Sequence, residues 1–240
     1  MKKILLIFAI VLCAAGISLA DGGGFDPAKL QRPDLEKIKA KTTDETSKYY
    51  YPKLLTKFFA NDTAMTVEEF QYFYYGALFQ EDYDPYRPQY KPEELQRLEP
   101  LYYKDTHTRA ENEEMIAYAK AALADNPLDL LQLKYLVYAY EHNRKDILAR
   151  IWKYKLNHLL WAIAASGTGV DKDNAWIVVY PRHEFDFLNL SGLAVQSREF
   201  EEPYYEKVFV KRHAPRDPEY YYFNIQPILE QYYIKHPTER

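Results

Sequence analysis

The one compact run with the chemistry of an active site is His183-Glu184-Phe185-Asp186. In an extended strand, Glu184 and Asp186 share one face while His183 and Phe185 share the other. A carboxylate pair is what glycoside hydrolysis needs, one acid protonating the leaving oxygen and the other attacking the sugar or activating water. Glu184 and Asp186 are therefore the candidate catalytic pair, and His183 cannot easily join them from the opposite face. The plainer reading, two acids on the solvent face of a half-buried strand, is preferred.

Tyrosine offers a second chemistry. The chain has 24 of them, enough to form runs at Tyr49 to Tyr51, Tyr74-Tyr75, Tyr102-Tyr103, Tyr204-Tyr205, Tyr220 to Tyr222 and Tyr232-Tyr233. Each ring joins a large apolar face to a hydroxyl, so exposed rings stack on sugars or form protein interfaces. Most are expected to fill a small core, with their hydroxyls reaching the surface. Tyr83, Tyr86 and Tyr90, in a segment punctuated by Pro85, Pro88 and Pro92, and Tyr220 and Tyr222, in a late strand, are the candidate binding surface.

Other sites lack their parts. His107, His142, His158, His183, His213 and His236 show no HExxH or other ligand spacing, and Cys13 is the only cysteine. The sequence therefore assigns no metal and no cofactor. Gly167-Thr168-Gly169 with Asp171-Lys172-Asp173 lacks the lysine and hydroxyl ending of a phosphate loop and the glycine of an EF-hand. Ser166 and Ser191 lie outside a G-x-S-x-G elbow. A net charge of −4 argues against a surface that neutralises phosphates, so nucleic acid is not an expected partner. Arg144, Lys145, Arg150, Lys153 and Lys155, and later Lys207, Lys211, Arg212 and Arg216, read as solvated basic faces, with an acidic envelope partner as the alternative.

The amino terminus reads as an address. Met1-Lys2-Lys3 is a positive start, Ile4 to Ala15 is apolar but too short to span a bilayer comfortably, and Ser18-Leu19-Ala20 suits signal peptidase. Cleavage is expected after Ala20. Leu12 before Cys13 disfavours lipid attachment, and losing Lys2 and Lys3 takes the net charge from −4 to −6. The expected product is exported, acidic and free of disulfides, periplasmic or envelope-associated, with no membrane span in the mature chain.

The elements that must position these residues fall into two halves. Residues 21–46 hold a short helix from Pro33 to Lys41. Residues 47–166 are helical: Tyr51 to Phe59, a helix opened by the capping box Thr66 to Glu69, a short one from Pro92 to Tyr103, and three joined tightly between Thr108 and Ser166. The last of these carries Leu148, Trp152, Leu156, Leu159 and Ile163 as an apolar stripe. Asn126-Pro127 and the residues around it allow tetratricopeptide-like helix pairs, with a plain bundle as the other reading. Beyond Gly167 the period shortens, and four strands are expected, at Ala175 to Tyr180, His183 to Leu190, Tyr204 to Lys211 and Glu219 to Ile225. Their short connections predict an antiparallel meander, closed by a helix from Pro227 to Tyr233 and packed as one unit with the helices. Helices followed by strands make an α+β fold.

Several phrases together resemble a known family. They are Lys48 to Leu55, Met65-Thr66 through Gly76, Tyr83-Asp84-Pro85-Tyr86, Gly167 to Val178, His183 to Leu188, and Tyr222-Phe223-Asn224-Ile225. The chain from about Ser47 to Ile225 is similar to an exported family of unknown function found mainly in Bacteroidetes, domain of unknown function 4919. The resemblance implies an envelope location and helix-then-strand order, but no activity. The expected function is a non-catalytic binding or scaffold module of the bacterial envelope with a protein or glycan partner. The alternative is a hydrolase acting on envelope or dietary glycan through Glu184 and Asp186.

Overall fold

The structure, a computed structural model, describes residues 32–239. The expected export signal and its cleavage site lie outside the described residues. An α+β chain of nine α-helices and four strands is seen among the described residues, with the helices mostly first.

Local chemistry sets the helix starts. Helix α1 (Leu35–Thr42) begins where Asp34 accepts a hydrogen bond from the Lys37 amide. Helix α2 (Tyr51–Phe59) tolerates Pro52 in its first turn, where a missing N–H costs nothing. Helix α3 (Val67–Gly76) opens on a complete capping box: the Glu69 amide donates to the Thr66 hydroxyl, and the Thr66 amide donates to the Glu69 carboxylate. After helix α4 (Pro92–Tyr102), Thr108 and Glu111 repeat the device for α5 (Arg109–Asp125). Asp129 caps α6 (Leu130–His142), and α7 (Asp146–Ala164) follows. These bounds lie within about two residues of the sequence expectation.

Rings from α2 and α3 pack on α7. Phe58, Phe70, Phe73, Tyr74, Tyr75 and Trp161 are all fully buried, each contributing about 1.5–3 kcal/mol by leaving water. Helix α1 comes so close to α3 that a Cβ at Gly76 would stand 2.7 Å from the Thr42 methyl. Lys155 is buried as well, its ammonium donating to the carbonyls of Phe58 (2.5 Å) and Ala60 (2.6 Å) at the end of α2. A cation there complements the exposed carbonyl end of the helix. Burial pulls its pKa down to about 8.

The sheet differs from the expected meander in two ways. Its order is β1-β4-β3-β2, with β1 (Trp176–Ile177), β2 (Val195–Glu201), β3 (Tyr205–Val210) and β4 (Tyr220–Asn224). Strands β2, β3 and β4 form an antiparallel meander, but the two-residue β1 pairs parallel to β4, so the sheet is mixed. The second correction concerns His183–Leu190. It is a helix, α8, and not a strand, and the strand in that part of the sheet is β2, a polar edge segment. In an eight-residue run buried on several sides, alternation of ring and acid mimics a strand without forming one. Helix α9 (Gln226–Lys235) closes the chain.

One core cluster runs from Ile38 in α1 to Ile228 in α9 and includes residues of the sheet. Tyr75 joins the two halves, its hydroxyl lying 3.1 Å from the carbonyls of Ala162 in α7 and Ile177 in β1.

Candidate functional site

Helix α8 sends its polar residues in different directions. His183 is fully buried: Tyr74 Oη lies 2.8 Å from Nδ1, and the Leu128 carbonyl lies 2.9 Å from Nε2. Since that carbonyl only accepts, Nε2 carries the proton and Tyr74 donates to Nδ1. Burial holds the imidazole neutral, well below its ordinary pKa. His183 is thus a satisfied strut that ties α8 to α3 and to the turn before α6. His158 is likewise buried, against Phe70 and Trp161, with its pKa pulled down to about 4.

Glu184 and Asp186 do not form the expected pair. Two positions apart on a helix is about 200° of rotation, so they leave α8 on nearly opposite sides. Glu184 has no exposed surface and faces the sheet, 3.6 Å from Arg198 Nη1. Burial pushes it up to about 8, and the neighbouring Glu206 pushes the same way. Asp186 faces the helices, where burial and the nearby Asp129 raise it to about 7 against the pull of Arg182 and Lys134. Arg182 in turn reaches Asp129 at 3.4 Å. Each carboxyl therefore belongs to its own cluster.

The tyrosine loop also divides. Tyr83 is buried, its hydroxyl donating to the Val179 carbonyl at 2.5 Å, and its ring packs against Tyr180. Tyr90 is half-buried, and its carbonyl accepts from the Tyr118 hydroxyl. Tyr86 alone stands out, 55% exposed, edge-on to Tyr232 in α9. These three rings do not share one open surface.

Tyr220 and Tyr222 do. Along β3 and β4, inward residues Glu206, Val208, Val210, Tyr221 and Phe223 are buried, while Tyr205, Lys207, Phe209, Tyr220 and Tyr222 are half-buried on the outer face. Pairing places Lys207 opposite Tyr222 and Phe209 opposite Tyr220. The rings form an unbroken strip with centroid spacings of 4.8 Å for Tyr204 to Tyr205, 6.5 Å for Tyr205 to Tyr222, 5.5 Å for Tyr222 to Tyr220 and 5.6 Å for Tyr220 to Phe209. Charge lines it. Lys207 lies 4.0 Å from the Tyr220 ring centroid, and Lys172 sits 5.2 Å from that of Tyr205 while pairing with Glu201 at 2.7 Å. Such a strip offers flat apolar faces with hydrogen-bonding groups along its margin.

Tyr204, Tyr205 and Phe209 are not among the sequence candidates, and Lys207 is read there only as part of a solvated basic face. Their signal is the alternation in Tyr205-Glu206-Lys207-Val208-Phe209, which puts three of them on one face once β3 pairs with β4.

The family model described as domain of unknown function, DUF4919, matches residues 36–234. The chain belongs to this family. The DUF4919 match takes in every strand, α8 and almost all of α9, so the ring strip and both carboxyl clusters lie within it. No curated protein and no solved structure matches the chain. Among the described residues no group of three or more His, Cys, Asp or Glu is placed to hold a metal ion. Nor is any helix among them long and apolar enough to cross a membrane.

Proposed function

We propose that this chain is an exported, non-catalytic binding module of the bacterial envelope whose outer sheet face docks a glycan. The observation that carries the reading is the strip of five contiguous rings on β3, β4 and the residue preceding β3, half-exposed and lined by Lys172, Lys207 and Glu201. Pyranose rings present a C–H face that stacks on aromatic carbon and hydroxyls that bond to flanking charges. The envelope location rests on the charged start, short apolar stretch and Ser18-Leu19-Ala20 of the leader. The non-catalytic half of the reading is supported by Glu184 and Asp186, which face separate clusters and so do not flank one substrate bond as glycoside hydrolysis requires.

A thermal-shift screen against envelope and dietary oligosaccharides tests the proposal. A ligand at about a hundred times its dissociation constant stabilises by about 2.7 kcal/mol, enough for a clear rise in midpoint. A rise with one sugar class, abolished by Tyr220→Ala with Tyr222→Ala, is expected. A rise that survives both substitutions places the site elsewhere, and a flat screen with crosslinks from these rings to an envelope protein replaces the glycan with a protein partner.

A further inference from the structure

On the other face of the sheet, beneath β2, three buried carboxylate oxygens have no hydrogen-bond partner: both of Glu184 and Oε2 of Glu206. Arg198 lies across them, with Nη1 3.6 Å from Glu184 and Nε 4.0 Å from Glu206, contacts too long to be hydrogen bonds. Buried acceptors without donors are costly, so the cluster has unmet capacity for N–H or O–H groups. Charge points the same way. With both carboxyls ionised, Arg198 balances one and leaves one negative charge over.

The rim around Arg198 is aromatic. Phe200 stands two residues along the same strand face and is 54% exposed. Phe185 of α8 has its ring centroid 5.6 Å from the guanidinium carbon. Aromatic faces above a carboxylate floor suit an aliphatic ammonium group, through cation–π attraction and charge-assisted hydrogen bonds.

We propose that this cluster binds a primary ammonium group, with Glu184 and Glu206 accepting its N–H bonds, Phe185 and Phe200 flanking its alkyl stem, and Arg198 swinging outward to admit it. The Arg198 side chain is 43% exposed and has open solvent to move into. A sugar hydroxyl supplies a donor but no positive charge to hold both carboxyls ionised. Burial, with Glu206 adding to it and Arg198 opposing, keeps Glu184 protonated at neutral pH, and burial raises Glu206 too. A bound cation favours both carboxylates, so binding releases a proton. The ammonium belongs either to a free amine or to a lysine side chain of a partner.

Calorimetry on the full exported chain with n-butylamine, its neutral counterpart 1-butanol and a lysine-bearing peptide tests this. Expected are saturable binding of at least one ammonium probe, none of butanol, and an apparent enthalpy that changes with the ionisation enthalpy of the buffer. Butylamine binding more tightly than the peptide identifies a free amine, and the reverse identifies a partner's lysine. Glu184→Gln weakens binding by about tenfold or more, the scale of a charged hydrogen bond. Arg198→Ala tightens it, because the guest becomes the only cation on two carboxylates. Absence of binding by both ammonium probes, binding without proton release, or a folded Glu184→Gln variant of unchanged affinity overturns the proposal. Should Glu184→Gln fail to fold, Arg198→Ala decides alone, and unchanged or weakened binding overturns it.

Discussion

Tyr83 of the proline-rich loop and the tyrosines of the outer sheet face meet opposite fates. Tyr83 turns its hydroxyl onto the Val179 carbonyl and buries its ring. Tyr205, Tyr220 and Tyr222 stand side by side on a sheet whose other face already fills the core. A ring is structural when its hydroxyl finds a buried acceptor. It is free to bind when backbone pairing fixes its position and leaves its face to solvent. Strand pairing, not side-chain packing, holds the strip in place, so its rings are replaceable without loss of the fold.

The largest test of that contrast is Tyr83→Ala, expected to cost about 3–5 kcal/mol, the range for a buried aromatic truncated in a core. Tyr220→Ala is expected to cost about 1 kcal/mol or less. Equal losses in denaturant unfolding would break the comparison. Tyr83→Phe comes next: it strands the Val179 carbonyl and should cost about 1–3 kcal/mol, whereas Tyr222→Phe should be nearly silent. A silent Tyr83→Phe would mean that the hydroxyl does not anchor the loop.

A third effect separates buried acids from exposed rings. Glu184 rises from an ordinary 4.5 to about 8 in the folded chain, so between those values the folded state holds a proton that the unfolded state has lost. Stability then falls as pH rises through that window, by up to about 1.4 kcal/mol per pH unit, and the loss is complete above the folded value. Asp186, raised to about 7, adds to the slope over its own window. Thermal unfolding from about pH 5 to about pH 8 should show the decline, and Glu184→Gln should flatten it. An unaltered slope in that variant would show that Glu184 is not the titrating group. The smallest effect is that of Tyr86→Ala, expected within about 0.5 kcal/mol because the ring is half in solvent, and without influence on glycan binding. A glycan affinity lost with Tyr86 would move the binding face to the loop.

What was legible in the sequence follows from how local each signal is. Capping boxes at Thr66 and Thr108, and Pro52 and Pro92 at helix starts, act within one turn, and the structure places those helices where their spacing predicts. Helix α8 was misread because it reverses the usual pattern: Glu184 and Asp186 are buried while Phe185 is 37% exposed. No amphipathic period survives such an inversion. Strand β2, Val-Gln-Ser-Arg-Glu-Phe-Glu, was invisible because an edge strand with little cover on either face carries no apolar alternation. The parallel pairing of Trp176 with Phe223 spans too much chain for any local motif. For the candidate sites, Tyr220 and Tyr222 are proposed from composition, but their neighbours Tyr205 and Phe209 need the β3–β4 register. Glu184 stands out in the sequence beside Asp186, but the carboxyl that acts on it is Glu206, which only the fold brings near.

The most direct measurement is a calorimetric titration of the purified protein, and of its Tyr220→Ala, Tyr222→Ala variant, with the oligosaccharide class that gives the largest thermal shift. Binding by the native chain, weakened about tenfold or more in a variant whose unfolding free energy is nearly unchanged, is the predicted result. Undiminished affinity in that variant would contradict the assignment of the outer sheet face as the binding surface.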